Sequence, residues 1–291
     1  MIKKILDKIN FFKIFKYNLI FNFSKKISGL PLANKGLDFI ISFSKSNYIS
    51  YFIRPKYSKN FKQISTEEVD FKEFGIIIQG PISNKKELNF LKETLQIYKL
   101  IFPKTLVVIS TWENSYIDDL ETDEYIKIKK SKLPDKPGLA NINYQIKSTS
   151  NAIQILKKEG IKNILKTRTD CRIMKPNLKS YFLSLQKTFI SENTKHSRIF
   201  ASNVATCKYR IYGLTDILLF GSTHEIETYF KDETEDEILK NYSFEKVINE
   251  TAVMSEILLC ARYLKNKGIK LDWTLEHWWH CLSKYFGIVD V

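Results

Sequence analysis

Two short apolar runs with one helical pattern between them narrow the range of folds open to this sequence. Gly75-Ile76-Ile77-Ile78-Gln79 lacks polar alternation and closes on Gly80-Pro81, so it reads as a strand buried on both faces and ended by a turn. Leu88, Leu91, Leu95 and Tyr98 then recur at helical spacing over residues 86–102, where Pro103 stops the helix. Thr105-Leu106-Val107-Val108-Ile109-Ser110-Thr111 is a second buried strand. Strand, helix and strand in that order, at those lengths, suit a right-handed parallel crossover.

The same grammar continues. Residues 125–129 suit an edge-like strand, 134–138 a loop, 143–159 a helix closed by Gly160, and 163–167 the next strand. Further strands are expected at 198–202 and 217–220, with helices at 223–230 and 244–265. The expected class is α/β, an open, mostly parallel sheet with helices on both faces.

Charge separates a different segment in front of this body. Before Gln63 there are thirteen basic residues and two acids, a net charge of +11 out of +14 for all 291 residues. Ile2, Ile5, Leu6, Ile9 and Phe12 recur at helical spacing among Lys3, Lys4, Lys8 and Lys13, and Phe15, Phe21, Phe23, Phe39, Tyr48 and Phe52 keep rings among further lysines. Residues 1–65 therefore read as a basic, aromatic-rich, amphipathic N-terminal helical arm, and 72–291 as the α/β domain. The arm suits an anionic membrane surface, touched through residues 1–62. Packing on the body is the plainer alternative. No nucleic-acid-binding motif is present, so nucleic acid is not an expected partner.

No stretch reaches the roughly 20 apolar residues needed to span a bilayer, and Asp7 and Lys8 interrupt any signal-peptide core. Cys171, Cys207, Cys260 and Cys281 are scattered, which fits a reduced compartment. The expected location is the cytoplasm, peripheral on the inner face of the cytoplasmic membrane. His277, His280 and Cys281 are the nearest approach to a metal cluster, without a second ligand pair.

In open α/β sheets the ligand lies outside the carboxyl ends of the strands. The residues there are Gln79, Gly80 and Pro81, then Thr111, Trp112 and Glu113, then Arg168, Asp170 and Arg172. Dinucleotide, Walker A and G-x-S-x-G signatures are absent, which disfavours hydride transfer, P-loop phosphoryl transfer and the common α/β hydrolases. In Leu165-Lys166-Thr167-Arg168-Thr169-Asp170-Cys171-Arg172 a carboxylate at a strand end is flanked by three cations. That grouping suits a diphosphate, through a bound divalent ion or a guanidinium held in place; a solvated turn with ordinary ion pairs is the alternative.

Four segments in order, Ile78-Gln79-Gly80-Pro81, Ile109-Ser110-Thr111-Trp112-Glu113, Asn141-Ile142-Asn143-Tyr144-Gln145-Ile146 with Ser148-Thr149, and Lys166-Thr167-Arg168-Thr169-Asp170, resemble the WavE family of lipopolysaccharide-synthesis proteins. The resemblance implies a GT-A, Rossmann-like glycosyltransferase acting on a nucleotide-sugar donor and a lipid-linked or oligosaccharide acceptor of a surface polysaccharide. It implies that Gln79, Gly80 and Pro81 form the loop over the nucleotide and that Thr111, Trp112 and Glu113 border base and ribose. Asn141, Asn143 and Gln145 would face sugar or phosphates, and Asp170 would hold a divalent cation, Mn or Mg. Arg172 stands where a second metal-binding aspartate is usual.

Developing charge on a departing diphosphate would then fall to a metal ion or to Lys166, Arg168 and Arg172. Glu256 is the candidate base for the acceptor hydroxyl, and Asp216 a further acid near acceptor or metal. Trp273, Trp278 and Trp279 could stack on sugar rings or fill the core. A phosphosugar or nucleotidyl transferase and a non-catalytic membrane scaffold of glycan assembly are the competing classes.

Overall fold

Seven strands form one sheet: β1 (Gly75–Gln79), β2 (Leu106–Trp112), β3 (Ile126–Ser131), β4 (Asn163–Arg168), β5 (Ile199–Ser202), β6 (Leu219–Ser222) and β7 (Phe286–Val289). The computed structural model describes residues 70–190, 197–244 and 254–290, all within the second of the two units into which the chain divides, Asn60–Val291. The expected membrane arm lies outside the described residues.

The sheet order is β3-β2-β1-β4-β6-β5-β7. β1 pairs in parallel with β2 and β4, β2 with β3, and β5 with β7, whereas β6 runs antiparallel to both β4 and β5. Only β6 is reversed, so the other six strands share one carboxyl edge. The chain moves outward from β1 to β2 and β3, then returns to place β4 on the other side of β1. The strand order therefore switches between β1 and β4, where a crevice opens in folds of this class.

Helices cover both faces. α1 (Lys85–Ile101) and α3 (Leu178–Thr188) pack Leu88, Leu91, Leu95, Leu178 and Phe182 against Ile76, Ile78, Val107, Ile109 and Leu165. The opposite face buries Ile77, Val108 and Ile164 under α2 (Ile142–Lys158), α4 (Thr223–Tyr229), α5 (Glu235–Tyr242), α6 (Ser255–Asn266) and α7 (Leu275–Tyr285). Alternate residues of each central strand thus feed two separate cores, which is why these strands are continuously apolar.

Local chemistry sets the boundaries. Asn84 caps α1 by accepting from Lys86 N and Glu87 N, while Glu87 reaches back to Ser83 N. α5 begins at a capping box between Thr234 and Glu237, a Thr-x-x-Glu signal legible in the sequence but not used above. One expected boundary is corrected. The strand expected at 217–220 pairs only from Leu219, because the main chain at Asp216 turns to accept from the buried Lys166 ammonium group. Of the helix expected at 244–265, residues 245–253 lie outside the described residues, and Ser255–Asn266 is helical.

Candidate active site

The switch point is closed by a contact between the turns after β1 and β4. Thr169 N donates to Gln79 O (3.0 Å) and its hydroxyl to Pro81 O (3.1 Å). Gly80 has φ +146°, and a Cβ there would lie 2.3 Å from Thr169 Oγ1, so glycine is needed both for the backbone and for the approach. Gly80 N also donates to Ser110 O (3.1 Å), which ties in the end of β2.

Arg168 and Asp170 face this junction as a forked pair. Arg168 Nε donates to Asp170 Oδ1 (2.9 Å) and Nη2 to Oδ2 (2.6 Å). These bonds hold the Asp170 carboxyl below its ordinary range and push the guanidinium upward, so both remain charged across the neutral range. Cys171 donates its thiol to Asp170 (3.4 Å), and burial, then the Asp170 charge, pushes it up to about 11. It is a neutral thiol, without nucleophilic character at neutral pH.

Behind the pair, Lys166 is fully buried. Its Nζ donates to Asp216 O and sits 5.4 Å from the Phe230 ring centroid. Burial pulls its pKa down, with the Asp216 carboxylate opposing that shift and Arg168 adding to it. Asp216 is itself buried, and its Oδ2 has no hydrogen-bond partner. Gln145 Oε1, Thr149 Oγ1 and the Tyr229 hydroxyl are likewise buried without a hydrogen-bond partner. Tyr229 is raised well above its ordinary value chiefly by burial, with the Asp216 and Glu256 carboxylates adding to the shift. Glu256 is half-buried in the first turn of α6, where the helix dipole favours a carboxylate, and accepts from the Ser255 hydroxyl (3.2 Å).

α2 brings polar groups to the same edge. Leu156 lies against Gly75 at the start of β1, and Ser148 O accepts from Ser110 Oγ (2.6 Å) near the end of β2, so α2 runs antiparallel to these strands. Ala152, Thr149 and Gln145 follow Leu156 along one helical ridge toward the carboxyl edge.

Other expected residues have different places. Arg172 turns onto α1, stacked 4.2 Å over the Phe90 ring and bonded to Phe90 O (3.0 Å), Thr94 Oγ1 (3.1 Å) and Glu93 (2.9 Å), so it is not gathered with Lys166 and Arg168. Trp112 is buried with its ring edge to face with Tyr144 at 5.5 Å, and the Thr111 hydroxyl pairs with Ser115 (2.6 Å). Of that trio only Glu113 is exposed. Asn141 is exposed in a left-handed conformation (φ 63°). Asn143 instead ties Lys136 O to Glu235 N, at 3.1 and 2.6 Å, and borders a cavity of about 330 Å³ with Leu133, Asp135 and Asp232.

Sequence reasoning passed over Thr149, Cys171, Tyr229 and Phe230. Thr149 stood within a quoted segment; the aromatic pair closing α4 had no signal beyond its apolarity.

A divalent ion does not fit the donors present. Both Asp170 oxygens are engaged by Arg168, and no group of three histidine, cysteine or acidic side chains among the described residues converges on one point. His277 is turned to the Tyr212 hydroxyl (2.8 Å) and Asp272 (3.0 Å), with Cys281 buried beside it. Among the described residues no helix is long and apolar enough to cross a membrane.

Residues 74–282 match a family described as WavE lipopolysaccharide synthesis. Among solved structures the chain is similar to a glycosyltransferase involved in the glycosylation of the major capsid of PBCV-1, with 10% sequence identity and a TM-score of 0.38, over 75% of this chain and 82% of that one. A likeness of that size is too small to transfer any property. None of the curated proteins matches the sequence.

Proposed function

The chain belongs to the WavE lipopolysaccharide synthesis family, and from that premise we propose that it is a glycosyltransferase moving a sugar from a nucleotide-sugar donor to a growing surface polysaccharide, lipopolysaccharide or capsule. The observation that carries this reading is the Arg168–Asp170 fork at the switch point, backed by the buried Lys166. Two held cations at the strand ends suit a donor diphosphate, and the unpartnered Asp216 oxygen, in the residue whose carbonyl Lys166 binds, suits a sugar hydroxyl.

In the proposed reaction an acceptor hydroxyl oxygen bonds to the donor's anomeric carbon as that carbon's bond to the diphosphate oxygen breaks. The electron pair of the broken bond leaves with the nucleoside diphosphate. Arg168, aimed by Asp170, and Lys166 stabilise the charge that grows there, and they do so without reorganising because both are already held. Glu256 takes the acceptor's proton. The open oxygen of Asp216 accepts from a donor-sugar hydroxyl, and Gln79, Gly80 and Pro81 form the lip over the nucleotide. The chain's own cations supply the positive charge, so no step is routed through a metal ion.

A thermal-shift titration with UDP and GDP, each with Mn²⁺, with Mg²⁺ and with EDTA, tests this. Saturation at about 100 times Kd should stabilise the protein by about 2.7 kcal/mol, and the shift should persist in EDTA and vanish in Arg168→Ala. Glu256→Gln should keep the shift and lose about 10²- to 10⁴-fold in turnover. Absence of a shift with any nucleoside diphosphate would overturn the reading. Release of pyrophosphate in place of nucleoside diphosphate would favour nucleotidyl transfer.

A further inference from the structure

The carboxyl edge also carries an exposed aromatic platform that the proposed transfer step does not use. The chain leaves the edge at the end of β5 and returns before β6, where Ser202 N donates to Leu218 O (3.2 Å). Within this excursion Cys207 N bonds Gly213 O (3.1 Å) and Thr215 N bonds Thr206 Oγ1 (3.2 Å), so residues 203–217 are tied across their own base. Lys208 and Tyr209 lie at the tip.

α7 fixes that tip. Trp278 Nε1 donates to Cys207 O (3.2 Å) and Trp279 Nε1 to Lys208 O (2.8 Å). The adjacent tryptophans then part: Trp278 is fully buried, whereas Trp279 is 36% and Tyr209 72% exposed. The two exposed rings meet edge to face at 6.1 Å, and Lys208 Nζ lies 5.3 Å from each centroid. Arg210 of the same excursion donates to Met254 Sδ (2.9 Å), two residues before Glu256.

We propose that Tyr209, Trp279 and Lys208 form a subsite for the acceptor, a glycan that carries a carboxylate-bearing sugar. The proposal rests on the glycosyl-transfer reading and adds the acceptor's chemical class and its location. The indole N–H is already spent on a loop carbonyl, so Trp279 offers ring surface, which suits the C–H face of a sugar. The ammonium group held over both rings adds an exposed positive charge suited to a sugar carboxylate. Position argues for a glycan over a membrane headgroup layer: the excursion begins and ends on the edge that holds the donor cations, and through Met254 it adjoins the proposed base. An acceptor stacked on the platform is thereby led toward Glu256.

The test uses the full chain, titrated with alginate octasaccharide as the uronate probe, dextran octasaccharide as the neutral one and phosphatidylglycerol vesicles as the lipid one. Alginate should bind and dextran should bind more weakly. Tyr209→Ser, Trp279→Phe and Lys208→Ala should each weaken alginate binding, by about tenfold for Tyr209→Ser, with the nucleoside-diphosphate shift intact. The proposal is overturned if the unsubstituted chain ignores alginate, if dextran binds equally well, or if Tyr209→Ser and Lys208→Ala leave alginate binding unchanged. A Tyr209→Ser variant that loses vesicle binding but not alginate binding also overturns it, in favour of a lipid contact. Failure with the diphosphate shift intact counts against the subsite alone, whereas loss of that shift in the unsubstituted chain counts against the transfer reading.

Discussion

In the proposed reaction Lys166 would serve chemistry at the expense of the fold. Its ammonium group is fully buried, with an Asp216 carbonyl for a partner and a phenyl ring nearby. Replacing a buried charge by an apolar side chain of similar size is often neutral or stabilising by about 1–4 kcal/mol. Lys166→Met should therefore be at least as stable as the parent at pH 7 while losing nucleoside-diphosphate affinity. Burial lowers the pKa of Lys166 in the folded chain. Between that lowered value and the ordinary lysine value the unfolded chain binds more protons, so this residue's contribution to stability rises with pH. The stability gap between variant and parent, measured by urea unfolding, should narrow from pH 7 to pH 10. A gap that stays constant, or a variant less stable at pH 7, would contradict the account. Lys166, Arg168 and Asp170 stood out in the sequence because polar residues are conspicuous after an apolar run. The same cue misplaced Arg172 because Cys171 N turns back onto Arg168 O (3.2 Å), and beyond such a turn nearness in sequence no longer means nearness in space. Trp112 was misread for a related reason: it still belongs to β2, and the strand carries it inward against Tyr144.

Between elements, the junction of β1 and β4 hangs on Gly80. A methyl group there would meet the Thr169 hydroxyl at 2.3 Å, whereas Gly268, also at positive φ (76°), has nothing within 4 Å of such a group. The pair separates two effects. Gly268→Ala should cost about 1–2 kcal/mol for the backbone conformation alone and leave nucleoside-diphosphate binding intact. Gly80→Ala should cost more and also weaken binding, because the turns that frame the crevice are forced apart. Equal effects of the two substitutions on binding would remove the steric argument. Strands β1, β2 and β4 were legible as apolar runs, and helices α1 and α2 as stretches of helical period that stop ahead of Pro103 and Gly160. α3 and β7 were not, because their sequences gain meaning only from the faces they cover, and α5 was passed over although its Thr234-x-x-Glu237 cap could be read.

At the scale of the whole molecule, charge changes near the boundary between the two units of the chain. The excess of basic residues lies before Gln63, while the cations at the proposed donor site number only two. We therefore place membrane contact with the 1–62 segment, which gives a test independent of catalysis. A chain beginning at Gln63 should lose binding to phosphatidylglycerol vesicles and keep the nucleoside-diphosphate shift. Undiminished vesicle binding would assign that contact elsewhere. No sequence pattern could show that Tyr209 and Trp279, seventy positions apart, share one surface, because that depends on how α7 docks against the excursion.

The reversal of β6 has a consequence for how such an enzyme could diversify. Since β5 ends and β6 begins at the same rim, the intervening segment is clamped at both roots, and loop-closure entropy changes only slowly with length. Under the proposed reading it could be exchanged like a cassette, altering which polymer is extended while the machinery for activated sugars stays as it is.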